Sequence, residues 1–411
     1  MLDSLFKSGV AVRRLRSGLF GPWLDSFVGW MADLGYSRLT RRTHSVLAAD
    51  LGAWMAEHNR VVSALDESAI SAYVDGRKSR REHRGQAAHN FLKYLRAEGV
   101  VPSRPHKPDR SPITVCAKRY EDHLRRERGT CEGTVQGYVA VVRRFLRHRF
   151  GRGPVKLRRL EAEDIQTYML DQARTASPRS VGNLASALRS FSRFLFARGE
   201  TASDLSGGII VPKATRISGI PSCLSAGEVD KLLDACDLKT PVGRRDRAIL
   251  LLLARLALRA REVSRLELGD IRWRSGEIVV RGKGNTVDRL PLLEEVGKAL
   301  ATYLVKDRPK SSSRRVFFRS LAPLRPFQGG AAIGSVVRRA VQRTGLNPPV
   351  RGAHLLRHSL ATRMIREGAS LAEIGEVLRH HSPGTAEIYA KVDFDALRTI
   401  APAWPLAGGG R

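Results

Sequence analysis

A β-hairpin is predicted in the stretch Glu277-Ile-Val-Val-Arg-Gly-Lys-Gly-Asn-Thr-Val-Asp-Arg-Leu-Pro-Leu292. Its arms, 277–281 and 286–292, contain β-branched and other apolar residues, and the connection Gly282-Lys-Gly-Asn285 has the residues of a tight turn. Helical patterns lie on both sides of this hairpin. A short antiparallel sheet set among helices predicts a mixed α+β domain for the last part of the chain.

Apolar residues recur at helical spacing in several segments around the hairpin. The segment 245–258 is the most apolar, through Ile249, Leu250, Leu252 and Leu253. It is far shorter than the roughly 20 apolar residues that cross a bilayer, so no membrane segment is expected. Helices are predicted at 228–236, 245–258, 331–343, 354–367 and 371–379, and a last short helical stretch begins at Tyr389.

Two stretches rich in Pro and Gly, 101–112 and 206–221, interrupt these patterns. Because such residues break helices and strands, both stretches are predicted to be linkers. They divide the chain into three predicted domains, 1–105, 111–205 and 213–411.

The first two predicted domains resemble each other. The block Leu65-Asp-Glu-Ser-Ala-Ile-Ser-Ala-Tyr-Val74 matches Leu160-Glu-Ala-Glu-Asp-Ile-Gln-Thr-Tyr-Met169, and Phe91-Leu-Lys-Tyr-Leu-Arg-Ala-Glu-Gly99 matches Phe191-Ser-Arg-Phe-Leu-Phe-Ala-Arg-Gly199. Any two amphipathic helices share some pattern, but two separated matches in the same order favour a duplication. Each copy is predicted to contain about four short helices.

The 411 residues include 71 Lys and Arg against 40 Asp and Glu, a net charge of +31. The hydrophobic fraction of 42% is enough for packed cores, which excludes a disordered basic tail. A run of charges is often only a solvated face, and base composition can enrich arginine, but a surplus along the whole chain favours nucleic acid as partner over a small molecule. Candidate phosphate contacts are Arg143, Arg144 and Arg147 beside Phe145, and the loop-like run that contains Arg77, Arg80, Arg81 and Arg84.

Metal and nucleotide cofactors are not expected. The four cysteines, Cys116, Cys131, Cys223 and Cys236, form no CxxC pair and lack the spacing of metal ligands, and no GxxxxGK[ST] loop is present. Free thiols indicate a reducing compartment. The N-terminus also lacks the apolar core of an export signal, so a cytoplasmic, nucleoid-associated bacterial protein is predicted.

The last domain contains two pairs of polar residues with helical spacing. Arg259 and Glu262 are three residues apart, on one face of a helix, and His354 and Arg357 have the same spacing. Taken alone, the first pair fits an exposed ion pair, and the second is too short to be specific.

Three further polar residues follow along the same domain. Lys283 is at the tip of the predicted hairpin, His380 ends a helix, and Tyr389 comes nine residues later. A turn lysine is commonly only solvated, and a helical tyrosine commonly packs. Tyr168 and Tyr303 do not follow a histidine at a helix end and are interpreted as structural.

The order and sequence context of these residues resemble the tyrosine recombinase (phage integrase) family over about 213–400. The segment 111–205 looks like the helical, SAM-like core-binding domain of that family. The resemblance implies a mainly α fold with a small antiparallel sheet, in which helical domains and a mixed α+β catalytic domain form a clamp around double-stranded DNA. The motifs are Leu258-Arg-Ala-Arg-Glu262, Arg281-Gly-Lys-Gly-Asn285, His354-Leu-Leu-Arg-His358, Leu378-Arg-His-His-Ser382 and Ile388-Tyr-Ala-Lys-Val392.

The resemblance also implies a reaction. Tyr389 would attack the scissile phosphorus, form a 3′-phosphotyrosyl bond and release a 5′-hydroxyl, and a second 5′-hydroxyl would then reverse the step without ATP or metal. Arg259 and Arg357 would clamp the non-bridging oxygens, and Lys283 would protonate the leaving oxygen.

Three residues take the remaining roles in this mechanism. His354 would act as a general acid or base toward the tyrosine, or donate to the phosphate, and His380 would donate to a non-bridging oxygen. Glu262 would orient a neighbouring cation. Because His381 follows directly, the register of the last histidine is open by one residue, and the spacing of nine residues to the tyrosine favours His380.

Three residues depart from the family pattern. Arg379 occupies a position where the family usually has Gly, directly before the last histidine. Ala257 likewise replaces a usual Gly, and Arg261 replaces a small residue. The last two differences leave the assignment of Arg259 itself unchanged but its exact placement open.

The resemblance implies a site-specific DNA recombinase, an integrase or transposase of a mobile element, that works as a homotetramer on DNA, with companion recombinases as further partners. Two alternatives are a relaxing topoisomerase of the same chemistry and a DNA-binding protein that has lost activity. The segment 1–105 is either a second DNA-binding module, which is favoured, or a protein-contact module.

Overall fold

The computed structural model describes residues 1–76, 81–103, 109–151, 153–209, 222–282 and 286–379. This part of the chain is mainly helical with one small antiparallel sheet, as the sequence predicts. It forms two compact units, one from the described parts of 1–104 and 220–411 and one from those of 105–219. Within the described ranges, no helix is both long and apolar enough to cross a membrane.

The first hundred residues form a helical domain around a cluster of aromatic side chains. Phe27 contacts Phe91 edge to face, with ring centroids 4.9 Å apart, and both side chains are fully buried. Arg84, predicted in a loop, is instead inside the last helix and paired with Asp50. The helices are α1 (Gly9–Ser17), α2 (Gly21–Asp33), α3 (Arg38–Glu57), α4 (Glu67–Gly76) and α5 (Arg81–Ala97).

The second unit contains four α-helices, which agrees with the predicted number, but α7 and α9 are longer than the short helices that the sequence pattern predicts. Its core continues past the expected start of the linker at residue 206, because Ile209 is 3% exposed and belongs to the same apolar cluster. Gln166 donates from Nε2 to the carbonyl of Gly208 at 3.1 Å, which holds this end in place. The helices are α6 (Pro112–Asp122), α7 (Glu132–Phe150), α8 (Ala162–Ala173) and α9 (Pro178–Ala197).

The last segment is a helical domain with a three-stranded sheet. The strands β1 (Ile271–Arg272), β2 (Glu277–Arg281) and β3 (Val287–Pro291) are antiparallel in that order, and Arg281 pairs with Val287 in register, which confirms the hairpin. The helices are α10 (Ala226–Asp234), α11 (Pro241–Ala254), α12 (Ala260–Arg265), α13 (Glu294–Lys306), α14 (Gly330–Thr344), α15 (His354–Arg366) and α16 (Leu371–Val377).

The apolar helix α11 is the centre of this core. Its residues from Ala248 to Leu253 are fully buried, and it packs against α13, α14 and α15. Burial on all sides explains a continuous apolar run in place of an amphipathic stripe. The helix was predicted to extend to Leu258 but ends at Ala254, before the left-handed backbone of Ala257 (φ +48°).

Two glycines permit close packing next to the cavity described below. A Cβ at Gly330 would lie 3.2 Å from the Cβ of Ala260, so the missing side chain lets α14 approach α12. Gly35 has φ +79°, and a Cβ there would lie 2.3 Å from Cδ1 of Leu324. The amide of Leu324 donates to the carbonyl of Leu34 at 2.9 Å, so the first hundred residues pack directly on a loop of the last domain.

Candidate active site

Arg259 and Glu262 form the predicted pair at the start of α12. Glu262 Oε1 accepts from Arg259 Nη1 at 2.8 Å, and Oε2 accepts from the Arg259 backbone amide at 2.8 Å. The carboxylate thus caps the N-terminus of α12 with one oxygen and orients the Arg259 guanidinium with the other. Its side chain is 5% exposed, whereas that of Arg259 is 29% exposed, so the arginine can still reach a ligand.

Arg357 was expected to present its guanidinium next to the imidazole of His354 on one helix face, but the two side chains differ in burial. His354 is exposed at the first residue of α15, but Arg357, one turn later, is only 3% exposed. Its Nη1 donates to the carbonyl of Ala257 and its Nη2 to that of Leu378. The guanidinium therefore joins α15 to the segments before α12 and after α16.

The two predicted clamp arginines meet at one turn of the chain. Arg357 donates to the carbonyl of Leu378, and Arg259 Nη2 donates to the next carbonyl, that of Arg379, at 3.1 Å. The sequence continues directly from this turn to His380. Residues at the start of α12, within α15 and directly after α16 are thus brought together at the turn that precedes His380 in the sequence.

Arg379 adds a third guanidinium that sequence reasoning treated only as a departure. Its Nη2 donates to Glu262 Oε2 at 2.8 Å and its side chain is 5% exposed. Both Arg379 and Ala257, the two positions where glycine is usual in the family, have a left-handed backbone, with φ of +53° and +48°. The backbone is therefore of the kind that glycine favours, although neither residue is glycine.

A basic cavity of about 820 Å³ opens beside this network. Arg261 and Arg265 lie one turn apart on α12, both exposed, and neither forms an ion pair within the described ranges. Sequence reasoning missed Arg265 and Arg315, because only the fold brings residue 315 next to α12. Cationic residues on the cavity wall are Arg259, Arg261, Arg265, Arg315 and His354. Such a wall suits an anionic ligand.

The two arms of the hairpin are paired up to residues 282 and 286, which lie on either side of Lys283 in the sequence. The Gly282 amide donates to the Thr286 carbonyl at 2.8 Å, so the strands remain paired up to the turn. Lys283 itself lies outside the described residues, as do His380, His381 and Tyr389.

The two competing tyrosines are structural, as expected. Tyr303 and Tyr168 are each 2% exposed, and the hydroxyl of Tyr303 accepts from the Phe318 amide at 3.3 Å. Burial raises the pKa of both phenols, which disfavours the phenolate that a nucleophile needs.

The basic face of α7 is exposed as predicted. Arg143, Arg144 and Arg147 all point to solvent, while Phe145 between them is fully buried. None of the three forms an ion pair with any described residue, unlike Arg149, which binds Asp164 at 2.5 Å. Arg77 and Arg80 lie outside the described residues, and Arg81 is the first residue of α5, not part of a loop.

Comparison with known proteins agrees with this fold and site. The family model for the phage integrase family matches residues 222–396, and that for the phage integrase N-terminal SAM-like domain matches 117–199. The chain is 39% identical to the integrase/recombinase y4rA of Sinorhizobium fredii, over 96% of this chain and 97% of that protein. It is 30% identical to the tyrosine recombinase XerD of Corynebacterium glutamicum, over 70% of this chain and 96% of that one.

Among solved structures, that of the XerH site-specific recombinase bound to its palindromic difH substrate is similar in fold. The TM-score is 0.55 at 19% identity, with 77% of this chain and 94% of that chain covered. The helical segment and the mixed domain that follows it match the two family models in the same order, which places the chain in the class of DNA strand-exchange enzymes. The chain belongs to the phage integrase family of tyrosine recombinases. It is accordingly an enzyme of site-specific recombination, which breaks and rejoins DNA strands.

Proposed function

We propose that the enzyme cleaves double-stranded DNA with Tyr389 as nucleophile and the Arg259–Arg357 pair as the phosphate clamp. In this step a bond forms between the tyrosine oxygen and the 3′-phosphate, and the bond from phosphorus to the 5′-oxygen breaks. Lys283 supplies a proton to the leaving 5′-oxygen, and His354 accepts the proton of the tyrosine. The observation that carries the proposal is the convergence of both arginines on adjacent carbonyls, those of Leu378 and Arg379.

Charge explains why this arrangement suits phosphoryl transfer. The transition state gathers negative charge on the non-bridging oxygens, and fixed guanidinium groups stabilise it without having to reorganise. Arg259 is held by Glu262 and by the carbonyl of Arg379, and Arg357 is held by the carbonyls of Ala257 and Leu378, so both guanidinium groups have a fixed orientation. His380 adds a donor to the same oxygens.

The helical segments supply the grip on the duplex in this proposal. The unpaired face of Arg143, Arg144 and Arg147 is suited to phosphate contacts, which provide most of the affinity that does not depend on sequence. Together with the catalytic domain, the segment 111–205 would clamp the duplex. Arg77, Arg80 and Arg81 belong to the proposed contacts of the first segment.

We also propose that 1–105 is a duplicate of the core-binding fold and a second DNA-binding module. After an additional helix, α1, in the first segment, both segments have a helix, a long helix, a short 3₁₀ turn and two further helices in the same order. The 3₁₀ turns are at Val62–Ala64 and Leu157–Arg159, and the long helices α3 and α7 contain 20 and 19 residues. The proposed domains remain 1–105, 111–205 and 213–411.

Strand exchange between two duplexes needs four nucleophiles, so we propose a homotetramer on DNA, in which companion recombinases can replace some subunits. The similarity to an integrase/recombinase over nearly the whole chain supports a mobile element as the source of the DNA ends. The proposed place of action is the bacterial nucleoid, where duplex DNA is found.

A suicide-substrate experiment tests the proposal. Nicked duplexes tiled across the DNA on both sides of the coding sequence are incubated with the protein, and covalent adducts are detected by denaturing electrophoresis. We expect an adduct with one set of duplexes that disappears in Tyr389→Phe and persists in Tyr303→Phe. An adduct that survives Tyr389→Phe, or none on any duplex, would contradict the assignment.

The same duplexes separate the two alternatives. Joining of strands from two different duplexes is expected of a recombinase, whereas relaxation of a supercoiled plasmid without exchange would indicate a topoisomerase. Duplex binding without any adduct would indicate a protein that has lost its activity. Comparison of His380→Ala with His381→Ala assigns the last histidine: the larger loss of cleavage is expected for His380.

A further inference from the structure

Arg379 lies in the turn that follows α16, with a backbone that does not favour a side chain. Its φ of +53° is in the left-handed region, which is unfavourable for a residue with a Cβ relative to glycine. The long side chain is nevertheless buried in the interior, 5% exposed. A charged group kept at an unfavourable backbone position indicates that the group itself has a task.

The side chain and the carbonyl of Arg379 make their hydrogen bonds around Arg259. Its Nη2 donates to Glu262 Oε2 at 2.8 Å, on the carboxylate that holds Arg259 through its other oxygen. The same nitrogen lies 3.4 Å from the carbonyl of Ala257, two residues before Arg259. The carbonyl of Arg379 accepts directly from Arg259 Nη2 at 3.1 Å.

The charges in this cluster show what Arg379 changes. Glu262 and Arg259 alone would form a neutral pair, with the carboxylate opposing the attraction of Arg259 for a phosphate. With Arg379 on the second carboxylate oxygen, the three side chains sum to +1. Because Glu262 and Arg379 are each 5% exposed, solvent screens this charge only weakly.

Two nitrogens of Arg379 are not used by this network. Its Nε and Nη1 are buried and have no hydrogen-bond partner among the residues that the structure describes. The ion pair with Glu262 therefore engages Nη2 of the guanidinium but not Nε or Nη1.

We propose that Arg379 is a positioning residue for DNA cleavage: by sharing Glu262 it preserves the charge and the orientation of Arg259 toward the scissile phosphate. This proposal rests on the recombinase mechanism proposed above. Its chemical effect is on the transition state rather than on DNA binding, because it acts through one arginine of the phosphate clamp.

The test uses the nicked duplex that gives an adduct with the parental protein. Single-turnover cleavage and DNA affinity are measured separately for Arg379→Gly and Arg379→Lys. We expect Arg379→Gly to lower the cleavage rate by about 10- to 100-fold, as small misplacements of catalytic groups do, with DNA affinity unchanged. Arg379→Lys should recover part of the rate, since it keeps the charge but not the planar fork.

A double-mutant cycle with Glu262→Gln tests the path of the effect. If Arg379 acts through Glu262, then Arg379→Gly should cost much less in the Glu262→Gln background than in the parent. Lys298→Ala serves as a control for loss of a positive charge, because Lys298 is 75% exposed and pairs with Glu294 on its own helix. It should leave cleavage unchanged.

Thermal unfolding is recorded for every variant. Glycine suits the left-handed backbone of residue 379, so Arg379→Gly is expected to fold. If it does not fold, the cleavage rate and the DNA affinity of Arg379→Lys are compared with those of the parental protein in its place. Unchanged cleavage, a parallel loss of DNA affinity, or independent effects in the cycle would overturn the proposal. A parental protein that forms no adduct would instead overturn the proposed function, and with it the role of Arg379.

Discussion

Arg379 donates from Nη2 toward the carbonyl of Ala257 at 3.4 Å, and both residues have a left-handed backbone. The two strained positions are 122 residues apart in sequence but lie against each other in the structure. Arg357 reaches the same carbonyl. Guanidinium groups thus bind the backbone next to the candidate active site at Ala257, whose left-handed conformation glycine would adopt without strain.

Ala257→Gly tests how much strain this arrangement contains. Glycine relieves about 1–2 kcal/mol of left-handed strain, but it loses a buried methyl worth about 0.8 kcal/mol and gains freedom in the unfolded chain. We therefore expect a change in the free energy of unfolding within about 0.5 kcal/mol, measured by urea denaturation. Ala248→Gly, equally buried but inside α11, should cost about 1–2 kcal/mol. Equal losses at both sites would contradict the strain argument.

Glu262→Gln should destabilise the fold as well as slow cleavage. It removes a charge that is shared by two guanidinium groups, and an unpaired buried charge typically costs 3 kcal/mol or so. We expect the free energy of unfolding to fall by about 3 kcal/mol. Glu367→Gln, at a site 66% exposed and 3.6 Å from Arg363, should change it by less than about 0.5 kcal/mol. A Glu262 variant as stable as this control would show that the cluster is not coupled.

Gly35→Ala is expected to break the contact between the first hundred residues and Leu324. The new Cβ would overlap Leu324 Cδ1 and would also have to adopt φ +79°, so we expect a loss of about 2–4 kcal/mol in urea denaturation. Gly99 is the matched control, with φ +73° and open space around it. Gly99→Ala should cost only about 1–2 kcal/mol. The difference between the two losses in the free energy of unfolding measures the cost of the overlap between the new Cβ and Leu324.

Replacing Arg143, Arg144 and Arg147 by alanine should weaken DNA binding without regard to sequence. Each lost phosphate contact lowers the slope of log affinity against log salt by about 0.9, so the slope should fall by up to about 3 on a duplex of random sequence. Arg174→Ala is the control, because Arg174 is 80% exposed but lies 3.8 Å from Asp171. An unchanged slope in the triple variant would exclude this face of α7 as a phosphate contact.

Thiol labelling should separate exposed from buried cysteines. Burial raises the pKa of Cys116 to about 11 and also raises that of Cys236, so neither forms much thiolate near neutral pH. Cys131 is exposed at the start of α7. We expect a fast maleimide phase that disappears in Cys131→Ala, with Cys116 and Cys236 reacting only after denaturation. Fast labelling of Cys116 in the folded protein would contradict the packing of α6.

The elements that sequence predicts best are those set by local patterns. The hairpin followed from β-branched arms and a Gly-rich turn, and α11 from an apolar run that could only be buried. The predicted C-terminal end of α11 lies four residues too far along the chain. The left-handed turn at Ala257 ends the helix earlier, and it depends on contacts with Arg357 and Arg379 from distant segments. Such contacts leave no periodic signal in the sequence.

The site shows the same division. The spacing of three residues between Arg259 and Glu262 predicts their pairing, since helix geometry places them together. The same rule suggested that His354 and Arg357 share a face, but it does not say how deep each lies, and Arg357 is buried. The basic run that ends at Arg84 predicts an exposed loop, whereas Arg84 lies in α5 and forms an ion pair with Asp50. Charge patterns alone do not distinguish a solvent-facing cation from a paired one.

The hydrogen bond between Leu324 and Leu34 has a practical consequence for anyone preparing shorter versions of this enzyme. A truncation to residues 111–411 would look natural from the motifs, since it keeps both matched family domains. It would nevertheless cut through a packed boundary, leaving Leu324 without the hollow at Gly35 that receives it. Pro326, two residues further along that loop, lines the basic cavity. Removing the first hundred residues therefore removes packing from the loop that contributes Pro326 to the wall of the basic cavity.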